Sequence, residues 1–170
     1  MNVELKKILC PVDFSRNAAY ATRYALAFAE AHKAQLLLLQ VEEPYVPCIP
    51  MDYPGIDSMD PLCNMDDEME ETDTGETEAS EKDDSLWRLA EDLHQGHQGV
   101  RIKPLRAIGK AFVEIVRTAK EYDVDLIVIG THGRTGLAHM LIGSTAEKVV
   151  RMAPCPVLTV KHPDHEFVMP

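Results

Sequence analysis

Four glycines and a pair of hydroxyls set the chemistry that this chain could do. Gly130, Gly133, Gly136 and Gly143 punctuate a loop that ends on Ser144 and Thr145. Upstream stands the apolar run Leu126-Ile127-Val128-Ile129, and downstream a helix opens at Ser144. An apolar run without alternation reads as a strand buried on both faces, hence a parallel one. A glycine loop that leads from such a strand into a helix is a natural anion site, because the free N–H groups and the positive end of the helix dipole point at it. The spacing is Gly-x2-Gly-x9-Gly-Ser over Gly130, Gly133, Gly143 and Ser144. It is not the dinucleotide pattern G-x-G-x-x-G, nor a phosphate loop of the G-x-x-x-x-G-K-[ST] type. Gly109-Lys110 is followed by Ala111, and no glycine stands five positions before Gly109.

Each residue also has a plainer reading. Ser144 with Glu147 three residues on has the form of a capping box, so Ser144 caps its helix, binds a ligand, or does both. Asp13, at the end of an apolar run, is an acceptor for a ligand or an ordinary turn residue. His132 and Arg134 lie on the glycine loop, as ligand contacts or as solvated side chains. His94/His97 and His162/His165 are spaced by three, but no cysteine or carboxylate pattern completes a metal site around them, and none is expected. The four cysteines include no C-x-x-C pair. Cys10 and Cys155 sit in strand-like contexts and read as inert buried thiols, while Cys48 and Cys63 are near enough in sequence to approach each other.

The elements that must position the loop alternate along the chain. Residues 6–13 read as a first strand with Pro11 near its end, and Ser15 as the cap of the next helix. That helix is expected to bury Tyr20, Tyr24, Ala27, Phe28 and Ala31. Gln35–Val41 is a second buried strand, which completes a right-handed βαβ unit. Ser85–His97 is a helix facing inward through Leu86, Leu89, Ala90 and Leu93. Val100–Ala107 is a strand nearer an edge, interrupted by Arg101, Lys103 and Arg106. Gly109–Tyr122 is a helix buried through Phe112, Ile115, Val116 and Ala119. Leu126–Ile129 is the fourth strand, Ser144–Met152 a helix with Ala146, Val149 and Val150 inward, and Pro156–Val160 the fifth strand. The alternation predicts a three-layer α/β/α domain on a five-stranded parallel sheet.

One segment breaks the rhythm. Pro44, Pro47, Pro50, Pro54 and Pro61 lead into a run dense in like charge, so residues 43–84 or thereabouts read as an acidic insertion in a single domain covering 1–170. From Asp52 to Asp84 there are fourteen carboxylates against Lys82 alone, so this segment accounts for the net charge of −11 and the rest of the chain is nearly neutral. Neither part offers the basic groove that nucleic acid requires. No apolar run approaches the ~20 residues of a membrane span, and the first residues lack a signal-peptide layout. A cytoplasmic protein is the expectation.

These motifs together resemble the universal stress protein family, in the UspA-like branch that keeps an ATP-binding motif. The resemblance rests on PVDFS at the N-terminus, the strand ending at Val41, and the stretch from Asp125 to Val160; it leaves out the acidic insertion. It implies an adenine nucleotide alpha hydrolase-like, Rossmann-like fold with the nucleotide over the carboxyl ends of the strands, where strand order reverses. Matched position by position, Gly130, Gly133, Gly143, Ser144 and Thr145 would hold the phosphates, and Arg134 and His132 would flank them. Pro11, Val12 and Asp13 would border the nucleoside, with Asp13 accepting from the ribose hydroxyls and the Val41 backbone meeting the adenine edge. The resemblance further implies ATP as ligand, with or without Mg2+, AMP or ADP being alternatives, and a homodimer through Val157, Leu158, Thr159 and Val160.

No catalytic apparatus is evident: a hydrolase acting on ATP should show a residue that orients water and usually carboxylates for magnesium, and Asp13 is the sole carboxylate expected on the binding face outside the insertion. The favoured expectation is a nucleotide-dependent stress-response regulator. Its competitors are a slow ATPase or self-phosphorylating protein, and a nucleotide-free interaction module that meets a protein partner through the acidic insertion.

Overall fold

The computed structural model describes residues 4–44, 85–132 and 142–162. The acidic insertion with Cys48 and Cys63, the loop residues Gly133, Arg134 and Gly136, and His165 therefore lie outside the described residues. Nine elements follow in order: β1 (Lys7–Pro11), α1 (Arg16–His32), β2 (Gln35–Glu42), α2 (Ser85–Gly96), β3 (Arg101–Ile108), α3 (Ala111–Glu121), β4 (Leu126–Gly130), α4 (Ser144–Met152) and β5 (Val157–Val160).

The strands form one parallel sheet in the order β3-β2-β1-β4-β5. β1, β2 and β4 are the apolar runs because both of their faces are covered, and parallel strands so placed have no polar side to show. β3 lies at an edge, as its interrupting charges predict; Pro104 is tolerated there because an edge strand has one side with no ladder to supply.

Alternation along the strands divides the core in two. Ile8, Cys10, Leu36, Leu38 and Val128 face one way and meet α1 and α2 through Ala21, Ala25, Leu86 and Ala90. Leu9, Leu37, Leu39, Ile127 and Ile129 face the other way and meet α3 and α4 through Ile115, Ala119, Ala146 and Val149. Leu36, Leu37 and Leu38 are fully buried, and each such side chain contributes about 1.5–3 kcal/mol by leaving water.

Three helix faces differ from expectation. α1 buries Ala18, Ala21, Thr22, Ala25, Leu26 and Ala29, whereas Tyr24 is exposed, as are Ala27 and Ala31. The small residues let the helix axis approach the sheet closely, and the aromatics lie along its flank, with Tyr20 and Tyr24 edge to face at 5.4 Å. On α4, Ala146 and Val149 are buried but Val150 is 49% exposed. α2 faces inward as expected, with Leu86 and Ala90 buried and Leu89 and Leu93 packed on them; on α3 Ile115 and Ala119 are buried with Phe112 beside them, but Val116 is only half-buried while Glu114 and Thr118 are buried.

Candidate functional site

The strand order reverses at β1, because the chain winds outward through β2 and β3 and then returns to add β4 and β5 on the other side. Loops at the carboxyl ends of β1 and β4 consequently diverge, and open α/β sheets bind ligands in that crevice. A cleft of about 570 Å³ opens there. Pro11, Val12, Asp13, Val41, Gly130, His132, Gly143, Ser144 and Thr145 all line it. Gly133 and Arg134 fall outside the described residues. Leu39, Gln40, Glu42, Glu43, Thr131, Ala111 and Ile115 line the cleft as well, although the sequence did not single them out. The signal that would have found Glu42 and Glu43 is their place at the carboxyl end of β2.

The turn after β1 is tightly specified. Phe14 adopts a left-handed backbone, φ +62°, which a side chain with a β-carbon rarely takes. Asp13 accepts a hydrogen bond from the Ser15 N–H at 2.9 Å, and the Ser15 hydroxyl accepts from the Ala18 N–H at 3.1 Å. Ser15 thereby caps α1, as its position predicts. Asp13 is a turn residue and a cleft residue at once.

The loop after β4 is held from both sides. Thr131 N–H donates to the Val160 carbonyl at 2.9 Å, and Gly143 N–H donates to the Thr131 carbonyl at 2.7 Å. Thr131 and His132 are buried, with His132 Nδ1 3.1 Å from the Thr131 hydroxyl. His132 is thus packed into the site, not solvated. The glycines answer to sterics within the protein: a β-carbon on Gly130 would stand 3.1 Å from the Asn17 backbone, and one on Gly143 would stand 3.2 Å from the Thr131 carbonyl oxygen.

The capping-box reading of Ser144 does not hold. Gly143 is the N-cap, with φ −69° and ψ 153°, so Ser144 is the first helical residue and the register needed for reciprocal Ser–Glu bonds is lost. Glu147 pairs instead with Arg151 at 2.8 Å. Among the described residues no side chain caps the first turn of α4, and the exposed Ser144 and half-buried Thr145 border the cleft beside it. Two of the other helix starts at this end have side-chain caps, α1 from Ser15 and α3 from Glu43, which accepts from the Ala111 N–H at 2.9 Å.

Charge is divided across the cleft. Asp13, Glu42 and Glu43 lie on the β1 and β2 side; Glu42, ahead of the insertion, corrects the expectation of Asp13 as the sole carboxylate outside it. Glu42 is paired with Arg106 at 3.2 Å, and Glu43 is engaged with α3. Opposite them lies the N-terminal turn of α4, whose dipole favours negative charge. The described residues include no group of three or more side chains arranged to hold a metal ion, and the His94/His97 pair turns to other partners, the Val100 carbonyl at 3.3 Å and Glu30 at 2.5 Å. Cys10 is fully buried in the core, and desolvation pushes its thiol up to about 12. Cys155 is only partly buried; loss of hydration and the nearby Asp125 carboxylate raise its pKa. No helix among the described residues is long and apolar enough to cross a membrane.

An open parallel sheet with a cleft at its switch point defines a Rossmann-like α/β protein. Residues 4–161 match the model of the universal stress protein family, so the chain belongs to that family. It is 29% identical over 167 residues to universal stress protein MJ0577 of Methanocaldococcus jannaschii, an alignment that covers 95% of this chain and 98% of that one. Among solved structures it superimposes on universal stress protein UspA from Lactobacillus plantarum with a TM-score of 0.69 and 24% identity, covering 94% and 99% of the two chains. A universal stress protein solved in complex with cAMP shares the fold at a TM-score of 0.60 and 20% identity, covering 92% and 97%.

Proposed function

We propose that the cleft binds an adenine nucleotide, ATP foremost, and that the protein acts as a nucleotide-dependent regulator in the stress response. The observation that carries this reading is that the first turn of α4, which no described side chain caps, faces the same cleft as the end of β2. β1 pairs with β2 as far as Val12 N–H donating to the Leu39 carbonyl at 2.8 Å, while β2 runs on to Glu42. In a parallel ladder alternate residues present both their N–H and C=O to the same side. Val41 therefore turns a donor and an acceptor toward the side that β1 has left, a pair that matches the ring nitrogen and exocyclic amine of adenine. In sheet order, Asp13 stands between this edge and α4, where a ribose would lie.

The phosphates then fall to Gly130, Gly143, Ser144 and Thr145 with Gly133 and Arg134 of the intervening loop, the positive end of α4 offsetting their charge. His132 packs behind them. The carboxylates of Glu42 and Glu43 at the opposite end support this direction of the ligand, although Arg106 and the α3 N-terminus offset part of their charge. The cAMP complex of a protein with this fold is consistent with that assignment. Titration of wild type and Gly143→Ala with ATP tests it. The added methyl pushes the Thr131 carbonyl and the α4 N-terminus apart, and affinity should fall about tenfold, the worth of one strong hydrogen bond. An unchanged affinity contradicts the phosphate assignment.

The second element of the proposal is a homodimer through β5. Pro156 and Val160 direct their carbonyls to β4, so Val157 and Thr159 direct their N–H and C=O groups outward along the edge of the sheet. An apolar edge of this kind invites a second strand. Thr159→Pro removes an outward donor and leaves the β4 ladder intact. Light scattering should give a dimer for wild type and a monomer for the variant; a wild-type monomer at high concentration contradicts it.

A further inference from the structure

Lys148 lies on α4 four residues after Ser144, which lines the cleft. Positions i and i+4 share one face of a helix, one turn apart. Side chains on a helix lean toward its N-terminus, so Lys148 reaches back over the turn that opens α4. Its ammonium sits 4.8 Å from the centre of the Phe112 ring, and Phe112 follows Ala111, another cleft residue, in the first turn of α3. The ammonium therefore stands between the starts of two helices that border the cleft, just outside the residues that line it.

No carboxylate holds this charge. Lys148 is exposed and takes part in no ion pair among the described residues. Glu147 beside it is bonded to Arg151, the other basic residue of α4, at 2.8 Å. The face of a ring attracts an exposed ammonium only weakly, whereas a charge-assisted bond to a phosphate oxygen is among the stronger polar contacts. A phosphate that comes within reach of the four-carbon stem draws the ammonium off Phe112.

We propose that Lys148 sets the number of phosphates that the cleft favours, its ammonium meeting the outermost phosphate of a nucleoside triphosphate. This rests on reading the cleft as an adenine nucleotide site with its phosphates at the start of α4. In that orientation the first phosphate is tied to the ribose beside Asp13, and only further phosphates carry the ligand out to the rim. A monophosphate ends short of the ammonium and gains nothing from it. The glycine loop serves both ligands, and the side chain on the rim tells them apart.

The test compares wild type with Lys148→Met, which keeps an apolar stem against Phe112 without the charge, and with Lys148→Arg, which keeps the charge. Each is titrated with AMP and with ATP, without magnesium, at low and at moderate salt. Lys148→Met should bind ATP about tenfold more weakly than wild type, the worth of one charged hydrogen bond, and AMP equally well. Lys148→Arg should recover most of the ATP affinity. Because the contact is exposed, the loss in Lys148→Met should shrink as salt rises.

A Lys148→Met variant that binds ATP as tightly as wild type overturns the proposal and leaves the nucleotide site standing. An equal loss for AMP and ATP also overturns it, since a change in the shape of the site does not count phosphates. So does a Lys148→Arg variant that recovers nothing. A wild type that binds neither ligand removes the reading of the site and this inference with it.

Discussion

The Glu43 carboxylate accepts a hydrogen bond from the Ala111 backbone N–H at 2.9 Å, joining residues 68 apart in sequence. The bond ties the exit of β2 to the first turn of α3. It places a negative group on the positive end of that helix, where both the hydrogen bond and the dipole favour it.

Replacing Glu43 by alanine should cost about 0.5–1 kcal/mol in urea unfolding, the usual worth of an exposed cap. Glutamine in its place keeps an acceptor oxygen, so Glu43→Gln should lose less than Glu43→Ala. Equal losses would mean that charge alone matters at this position.

Gly130 is required by a neighbour in the fold. A β-carbon there would stand 3.1 Å from both the carbonyl carbon and oxygen of Asn17. Backbone cannot move aside as a flexible side chain can, so Gly130→Ala should destabilise the protein by about 1–3 kcal/mol, as overpacking does. Calorimetric unfolding of the ligand-free variant measures it, and a neutral effect would show that α1 can shift outward freely.

Phe14 holds a left-handed backbone while its ring is 43% exposed. Phe14→Gly removes a strain of about 1–2 kcal/mol, partly offset by about 0.5–1 kcal/mol from the greater freedom of glycine in the unfolded chain. Stability should therefore rise slightly. A clear loss in chemical unfolding would show that the ring makes contacts worth more than the strain.

Cys10 carries a pH signature. Its thiol titrates near 12 in the folded protein against an ordinary 9.0. Between these values the folded state keeps a proton that the unfolded chain has lost. This contribution is complete below pH 9 and is lost as pH rises toward 12, at about 1.4 kcal/mol per pH unit. Urea midpoints taken from pH 8 to pH 10.5 should fall more steeply for wild type than for Cys10→Ala. Parallel slopes would contradict the burial.

The strands, the placement of β3 at an edge, and nine of the nineteen residues that line the cleft were legible because they depend on local pattern. An unbroken apolar run reports burial on both faces, and a βα turn reports which end carries the site. The buried face of α1 was not, because tyrosine and phenylalanine outweigh alanine in any hydropathy pattern, while packing against a sheet rewards the smaller face. The cap of α4 falls one residue before Ser144, since glycine and serine both serve as caps and only backbone angles choose between them. Glu43 with Ala111 and Gly130 with Asn17 are contacts between distant segments, and no spacing rule encodes them.

The most direct test of nucleotide binding is a calorimetric titration of nucleotide-free, folded protein with ATP, with and without magnesium. Saturable binding at one site per chain is the predicted result. A flat titration by folded protein would contradict it, leaving the glycines to serve the Asn17 and Thr131 contacts alone.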